Sequence, residues 1–543
     1  MWRKLPQKRN WTSLFLHSCY SRSYPFSSSV AAAASKNSIN WVSENKLFQK
    51  YPRLHFLEEQ CRSLDQLKQV ISYIFVSGLH RNPFVMSRVL YLCVFALEFE
   101  DGDVKRGYGT LVFSQIDKPN IFSWNTMIRA FATSGDSFNA AIALHYYIKM
   151  LRRGTLPDKY TYPFLLQACG SIFDLGLGKQ VHCHAVTLGF ALDLFVQNAL
   201  LRVYLICGSL VDAWKLFDEM SERDVVSWTT LISGLVFQGC FTDSLFVFNR
   251  MVVDELKIRP NVATVVSVMS ACANLGSLDH TKCLHSYLMK AGYSGLDVSI
   301  SNSLIDAYTK CGSIDCAEIV FHEVHRLRRD IYSWTTMIAG LSMHGRGREA
   351  ITLFSQMNQV DGVVPDAITF VTVLSACAHS GLVEEGKRIF ESMEADFGVM
   401  PEVKHYGCMV DLFGRAGLLE HAYNFVEGMP VEPNLAIFGS LLSACRVHNN
   451  VELGEAVLKK IESSCENGGG AHVLLSNIYA NENRWSNVIH IREESKGGEK
   501  KQEKPPGRSW IEVKGLVHEF VVGDRLHPQA MELYMALDGL GRS

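Results

Sequence analysis

The chain has 543 residues, too long for one compact domain unless it is a repeating array. Its content of 48% hydrophobic and 20% charged residues is that of a folded protein and excludes general disorder. A formal net charge of -2 excludes a strongly basic nucleic-acid binder, so any contact with nucleic acid must rest on local chemistry.

The first predicted element is the N-terminal segment. Residues 1–43 hold no Asp or Glu, but carry Arg3, Lys4, Lys8, Arg9, Arg22 and Lys36, ten serines and the run Ala31 to Ala34. That is the composition of a disordered organellar transit peptide. The basic, arginine-containing start favours the mitochondrion, with the chloroplast as the alternative. No apolar run approaches the roughly 18 residues that a membrane span needs.

From residue 48 the sequence repeats itself. FSWNTMIRAF at 122 returns as VSWTTLISGL at 226 and YSWTTMIAGL at 332. LLQACGSIFDLGLGKQVH at 165 returns as VMSACANLGSLDHTKCLH at 268 and VLSACAHSGLVEEGKRIF at 373. VQNALLRVYLICGSL at 196 returns as ISNSLIDAYTKCGSI at 300. Three variants follow one another in fixed order. Their equivalent positions are Asn125, Pro163, Asn198, Thr229, Val266, Asn302, Thr335, Val371 and Gly407, spaced by 31 to 38 residues.

Each unit reads as two helices. In the unit from 194, Ala199, Leu200, Val203 and Tyr204 share a helical face. Gly208 suits a left-handed C-terminal cap, Ser209 the next N-cap, and Asp212 the first turn that follows. The second helix carries Ala213, Leu216, Phe217 and Met220. A small residue four before an aromatic one recurs at Ala143/Tyr147, Ser244/Phe248, Ala317/Phe321, Ala350/Phe354 and Gly386/Phe390. The small residue lets two helices approach, and the ring fills the gap one turn on. A pair of roughly 13-residue helices cannot bury two apolar faces alone, so the units must stack into a solenoid.

The 15 cysteines include no Cys-x-x-Cys pair. Cys169, Cys272, Cys377 and Cys445 occupy one recurring slot and read as small buried hydrophobes, neither disulfide nor zinc ligands.

These strings resemble plant pentatricopeptide repeat proteins, of the class with alternating P, L and S variants and of the E/E+ subgroup lacking the C-terminal DYW deaminase domain. SWNTMI, NALLRVYLICGSLVDAWKLFDEM and HYGCMVDLFGRAGLLEHA carry the likeness. Tetratricopeptide repeats share the paired helices but lack these signatures. The resemblance implies an all-α, right-handed α-solenoid over residues 48–434, with units at 48–82, 83–120, 121–158, 159–193, 194–224, 225–261, 262–297, 298–330, 331–366, 367–402 and 403–434. The unit at 83–120 departs from pattern: GDVKRGYGTLVF has extra residues, and Gly109 stands where alanine is usual.

In that family each unit addresses one RNA base through its fifth and last residues. Asn amides and Thr hydroxyls both donate and accept, so they can meet a Watson–Crick edge, whereas a terminal Asp only accepts. The implied RNA-binding pairs are Ser87 with Asn120 (adenine), Asn125 with Asp158 (uracil), Asn198 with Asp224 (uracil), Thr229 with Asn261 (adenine), Asn302 with Asp330 (uracil) and Thr335 with Asp366 (guanine). Pro163, Val266 and Val371 carry no polar side-chain group and read as spacers; Gly407 with Asn434 implies no base. The second residues Phe84, Phe122, Phe195, Val226 and Tyr332 would sandwich the bases, each aromatic contact contributing about 1–3 kcal/mol. The expected site is A-U-x-U-A-x-U-G-x-x.

Residues 435–495 read as two further helical pairs and resemble the family's E-type extension. SKGGEKKQEKPPG is a charged linker incompatible with a helix. SWIEVKGLVHEFVVGD alternates apolar and polar residues around Lys514-Gly515, a β-hairpin signal, and residues 496–543 as a whole resemble the E+ module that recruits partners. No histidine has Glu two residues on, and there is no P-loop, Gly-x-Ser-x-Gly or His-Glu-x-x-His. The zinc and proton-shuttling glutamate of a deaminase have no residues to hold them or serve as them. The expectation is therefore a cofactor-free, non-catalytic factor. It would bind single-stranded organellar RNA and recruit a deaminase-bearing protein for C-to-U editing; the alternative is a role in splicing, stability or translation.

Overall fold

The computed structural model describes residues 64–96, 102–253, 258–293, 297–324, 329–464, 469–494, 508–513, 516–521 and 529–540. The transit segment, the start of the unit at 48–82 and the linker lie outside the described residues. The chain divides into two compact parts, residues 1–190 and 191–543.

The first part is a stack of helices: α1 (Leu64–Val76), α2 (Pro83–Tyr91), α3 (Gly102–Ser114), α4 (Ile121–Ala132), α5 (Ser137–Arg152), α6 (Thr161–Ile172) and α7 (Leu175–Thr187). In the second part the first helices of successive units are α8 (Leu194–Ile206), α10 (Val225–Phe237), α12 (Val262–Leu275), α14 (Val298–Lys310), α16 (Ile331–Met343), α18 (Ala367–Ser380) and α20 (Val403–Arg415). The second helices between them are α9 (Leu210–Glu219), α11 (Phe241–Val253), α13 (Leu278–Lys290), α15 (Ile314–Glu323), α17 (Gly347–Asp361), α19 (Val383–Ala395) and α21 (Leu419–Glu427). Two more pairs follow, α22 (Leu435–Val447) with α23 (Val451–Ser464) and α24 (Gly469–Asn481) with α25 (Trp485–Glu494). Within each part, each first helix packs on the first helix of the next unit and on its own partner, which is the α-solenoid arrangement.

The Ser-Trp signature explains itself in the core. Trp124, Trp228 and Trp334 are fully buried. Each meets the ring that ends the small-x-x-x-aromatic motif of the preceding unit edge-on: Phe113 at 4.8 Å, Phe217 at 4.9 Å and Phe321 at 5.1 Å between centroids. Such a pair adds about 0.5–1.5 kcal/mol beyond the area it buries. Six residues after Trp228 and Trp334 the helices close in. A Cβ on Gly234 would lie 2.7 Å from Leu205 Cβ, and one on Gly340 2.8 Å from Thr309 Oγ1.

A second contact recurs at two of these junctions, those of Trp228 and Trp334, and again where α22 meets α20. Gln238 donates from Nε2 to the Leu205 carbonyl at 2.6 Å and to that of Ile206 at 3.3 Å. His344 donates from Nε2 to the Thr309 carbonyl at 3.0 Å, and His448 from Nε2 to that of Gly414 at 3.0 Å. The acceptors lie in the last turns of the preceding first helices, where carbonyls lack intrahelical partners. The residue closing one helix thus satisfies the open end of its neighbour.

The recurring cysteines are buried as expected: Cys169, Cys272, Cys377 and Cys445 have no exposed surface. Burial pushes the Cys377 thiol up to about 12 and that of Cys445 up to about 11. Gly208 takes the left-handed conformation foreseen for it, with φ 74°. Ser209 differs from expectation: its hydroxyl caps no backbone N–H, and donates instead to the Asp212 carboxylate at 2.6 Å. The extra length of the unit at 83–120 is absorbed by a π-helical turn over Leu92–Ala96. Gly109 is required there, since a Cβ would lie 2.6 Å from Val94 Cγ2.

At the C-terminal end, β1 (Arg508–Val513) and β2 (Leu516–Val521) pair antiparallel with Val513 opposite Leu516, so the hairpin forms where alternation placed it. A final helix, α26 (Ala530–Leu540), was not anticipated from the sequence.

Two tests follow from the packing. Gly234→Ala should lower the denaturation midpoint, costing about 1–3 kcal/mol through overpacking. Gly439→Ala should raise it by up to about 1 kcal/mol, because a helical alanine there meets nothing within 4 Å. Brief alkylation of the native protein at pH 8, read by peptide mass spectrometry, should label the exposed Cys183 and Cys283. It should spare Cys377 and Cys445 until denaturant is added, because they are buried and their raised pKa leaves almost no thiolate at pH 8.

Candidate nucleic-acid interface

An α-helix needs its N-terminal N–H groups satisfied, and at six first helices the last residue of the preceding unit does it with its side chain. Asn120 Oδ1 accepts from the Ser123 N–H at 2.9 Å, and Asp158 Oδ1 from the Thr161 N–H at 3.0 Å. Asp224 Oδ1 accepts from Ser227 N–H at 2.9 Å, and Asn261 Oδ1 from Thr264 N–H at 2.8 Å. Asp330 Oδ1 accepts from Ser333 N–H and Asp366 Oδ1 from Thr369 N–H, both at 2.8 Å. In all six the cap occupies the same side-chain oxygen. The second atom, Oδ2 of the aspartates or Nδ2 of the asparagines, enters no hydrogen bond among the described residues.

The fifth residue of the preceding helix lies beside this cap. Asn125 donates from Nδ2 to Asp158 Oδ1 at 3.0 Å, Asn198 to Asp224 Oδ1 at 3.3 Å, and Asn302 to Asp330 Oδ1 at 3.1 Å. Each of these amides retains a second N–H, next to a carboxylate oxygen that only accepts. A donor beside an acceptor, held in fixed geometry by the helix cap, is a group that can read the edge of a base.

The threonine pairs are built differently. Thr229 Oγ1 lies 2.6 Å from Thr264 Oγ1, and Thr335 Oγ1 lies 2.8 Å from Thr369 Oγ1. Those hydroxyls in turn reach Asn261 Oδ1 at 2.9 Å and Asp366 Oδ1 at 2.8 Å. Fifth and last residues are therefore joined through the third residue of the next helix. Asn261 is left with a donor to present and Asp366 with an acceptor.

That third residue is the part of the site missed in the sequence. Ser123, Thr161, Ser227, Thr264, Ser333 and Thr369 are fully buried. Each bonds the cap oxygen through its hydroxyl, and Thr161 and Ser333 also donate to Asn125 Oδ1 at 2.8 Å and Asn302 Oδ1 at 2.7 Å. Their signal was available: Ser or Thr three residues after Asp or Asn is the spacing of a capping box. Asn198 differs from its counterparts, since its Oδ1 is buried and finds no donor among the described residues.

Ser87 does not join its partner. It is buried, and its hydroxyl donates to the Phe84 carbonyl at 2.7 Å, away from Asn120. Pro163, Val266 and Val371 lie half-buried at the fifth position of α6, α12 and α18. Of the second residues, Tyr332 is 62% exposed, Phe195 44% and Phe122 37%, while Phe84 and Val226 are half-buried. Phe195 and Tyr332 thus open a ring face to a flat ligand, while the Phe122 ring is packed by Tyr91 and the Arg88 guanidinium. Cations near the far ends of the first helices are held in pairs: Lys310 to Asp306 and Arg415 to Asp411, each at 2.8 Å. Among the described residues no three His, Cys, Asp or Glu side chains gather so as to hold a metal ion.

Known proteins share this architecture. The PPR repeat family profile matches residues 119–171 and 329–379, and the PPR repeat profile matches 198–225, 226–256, 299–328, 368–396 and 404–432. The E motif profile matches residues 448–512. An Arabidopsis thaliana pentatricopeptide repeat-containing protein, At1g59720, chloroplastic/mitochondrial, is 39% identical over 90% of this chain and 76% of its own length. A second from that plant, At4g21065, is 41% identical over 88% of this chain and 78% of its own. Among solved structures, the maize pentatricopeptide repeat protein PPR10 aligns over 83% of this chain and 63% of its own, with a TM-score of 0.60 at 19% identity, a likeness of fold. The same maize protein in complex with an 18-nucleotide psaJ RNA element aligns over 86% of this chain and 66% of its own, with a TM-score of 0.60 at 19% identity. From its helix pairs, its capped stations and these relatives, the chain belongs to the pentatricopeptide repeat family and carries an E motif.

Proposed function

We propose that this protein binds one stretch of single-stranded RNA, one base per repeat, and acts as the site-recognition factor for C-to-U editing of an organellar transcript. The observation that carries the reading is the split use of the cap side chain. One oxygen is committed to the helix, and the other atom stays open beside the fifth residue of the preceding helix. The open atom and the fifth residue beside it change along the chain while the cap bond does not, so the fold is indifferent to a choice that a base is sensitive to.

In this reading the Asn–Asp stations at Asn125, Asn198 and Asn302 take uracil. Thr229 with Asn261 offers a donor and takes adenine; Thr335 with Asp366 offers an acceptor and takes guanine, whose N1 and N2 both donate. The L-type units act as spacers in a P-L-S array. Affinity comes from stacking on Phe195 and Tyr332 and from base-edge hydrogen bonds, which reconciles RNA binding with a net charge of -2. The RNA bound by the maize protein of like fold supports RNA as the ligand.

The E motif supports the editing role, and a relative named chloroplastic/mitochondrial supports an organellar site of action. The transit-like start favours the mitochondrion, with the chloroplast as the alternative. The deaminase acts in trans, brought by a partner that docks on the C-terminal extension.

Asp330→Asn separates fold from reading. Asparagine caps a helix as well as aspartate, so thermal stability should hold within a few tenths of a kcal/mol. The acceptor becomes a donor, and selection from random oligonucleotides should lose uracil at that station. Asp330→Ala should lose the preference and also cost about 0.5–2 kcal/mol of stability. An unchanged selected motif in Asp330→Asn would remove the basis of the reading. For the biological role, RNA sequencing of a null plant should reveal an organellar cytidine no longer edited downstream of the predicted string; full editing at every organellar site would sink the editing assignment.

A further inference from the structure

The chain reaches the six caps described above in two ways. Asn120, Asp158, Asn261 and Asp366 each follow a proline, Pro119, Pro157, Pro260 and Pro365. The proline ring fixes φ at about −65° immediately before the cap. Asp224 and Asp330 follow Arg223 and Arg329 instead. Both arginines fold back onto the second helix that the chain has just left. Arg223 donates from Nε to the Phe217 carbonyl and from Nη2 to that of Asp218, both at 3.0 Å, in the last turn of α9. Arg329 donates from Nε to the Phe321 carbonyl at 3.1 Å and from Nη2 to that of His322 at 3.5 Å, in the last turn of α15. These are carbonyls that a helix end leaves short of partners. The Cζ atoms lie 5.0 Å from the Phe217 centroid and 4.4 Å from that of Phe321, the rings that meet Trp228 and Trp334 edge-on. The Arg329 side chain is buried, and its Nη1 also lies 3.7 Å from the buried Asp361 carboxylate at the end of α17.

We propose that Arg223 and Arg329 are positioning residues: they hold the Asp224 and Asp330 carboxylates at bonding distance from Asn198 and Asn302, and so set how sharply those two stations tell uracil from cytosine. Each carboxylate is fixed from its C-terminal side by the cap bond to the following helix. At Asp224 the chain arrives from the other side through residues 220–223, which are not helical. There the arginine ties it to the helix behind and to the ring pair that joins that helix to the next. Where a proline precedes the cap, the backbone itself carries the restraint. A guanidinium suits the task because its planar fork donates to two carbonyls at once while its face rests on a ring. Uracil offers an N–H donor beside its O4 acceptor, and cytosine reverses the two, so they are told apart only if the station's donor and acceptor keep their spacing. The Asn198 station needs the restraint most. Its amide lies 3.3 Å from Asp224 Oδ1, against 3.0 Å at Asn125 and 3.1 Å at Asn302. Its Oδ1 finds no donor among the described residues, whereas Thr161 and Ser333 donate to its counterparts.

This inference rests on the one-base-per-repeat reading, and the test keeps the two apart. Full-length protein is titrated with an oligonucleotide of the expected string, and with three others in which cytosine replaces the uracil opposite Asn125, Asn198 or Asn302 in turn. The wild type should bind each substituted strand roughly tenfold or more weaker than the parent. Arg223→Lys keeps the charge and loses the fork. It should cut the discrimination opposite Asn198 by roughly three- to tenfold, the worth of one net hydrogen bond, and leave the ratios opposite Asn125 and Asn302 unchanged. Arg223→Pro supplies the restraint that the other caps use, and the N–H it removes enters no hydrogen bond among the described residues. It should restore the ratio opposite Asn198 although the bonds to Phe217 and Asp218 are gone. Arg329→Lys should lower the ratio opposite Asn302 alone, and by less. An arginine that only supports the fold would, when replaced, lower the melting midpoint and weaken parent and substituted strands alike; ratios left unchanged in this way overturn the inference. So does an Arg223→Pro protein no more selective than Arg223→Lys. A wild type indifferent to all three cytosines overturns the base-per-repeat reading itself; a wild type that discriminates, beside lysine variants that discriminate equally, removes only the role of the two arginines.

Discussion

A single hydrogen bond type governs this molecule: the side chain at the end of each unit accepting from the first turn of the next helix. An α-helix begins with N–H groups that nothing inside it can satisfy, and a stack of short helices has many such ends. Here the ends fall at a constant place in each unit and are closed by Asn or Asp. Because the cap needs only one oxygen, the same residue faces outward with a second atom that the fold does not constrain. Periodic structure and variable chemistry are thereby carried by one side chain, which is why a repeat can keep its shape while its open atom changes.

The packing beneath the caps explains why the stations stay in register. Buried Trp124, Trp228 and Trp334 meet the rings of the preceding units at nearly constant distance. Gln238, His344 and His448 close the opposite helix ends of their neighbours. The two kinds of contact act at the two ends of the first helices, so neither translation nor tilt between neighbours is left to loop conformation. Glycines at the closest approaches have the same cause, since at Gly234, Gly340 and Gly386 a Cβ would lie within 3 Å of a neighbouring side chain.

Departures from the repeat are informative for the same reason. In the unit at 83–120 a π-helical turn and a required Gly109 accommodate extra length, and the fifth residue is withdrawn into the helix. Arg88 stands over the Phe84 and Phe122 rings, where the other P- and S-type units have a small residue. A lattice tolerates such a change because each unit contacts only its neighbours.

How far the sequence reaches can be judged from particular residues. The helix pairs, the buried cysteines, the left-handed Gly208 and the hairpin pairing Val513 with Leu516 were all legible, because each depends on local periodicity or on one residue's own backbone preference. The fifth and last residues were legible only through resemblance to a family. The capping-box Ser and Thr residues were visible as a spacing, yet their part in the stations is a matter of contacts between residues of neighbouring units. Only the tertiary structure decided that Asn302 shares an acceptor with the cap, that Asn198 keeps an oxygen unmet among the described residues, and that Arg88 reaches the Phe122 ring of the next first helix. Those outcomes depend on which side chains two helices bring within 3 to 6 Å, and no spacing along a single helix encodes that distance.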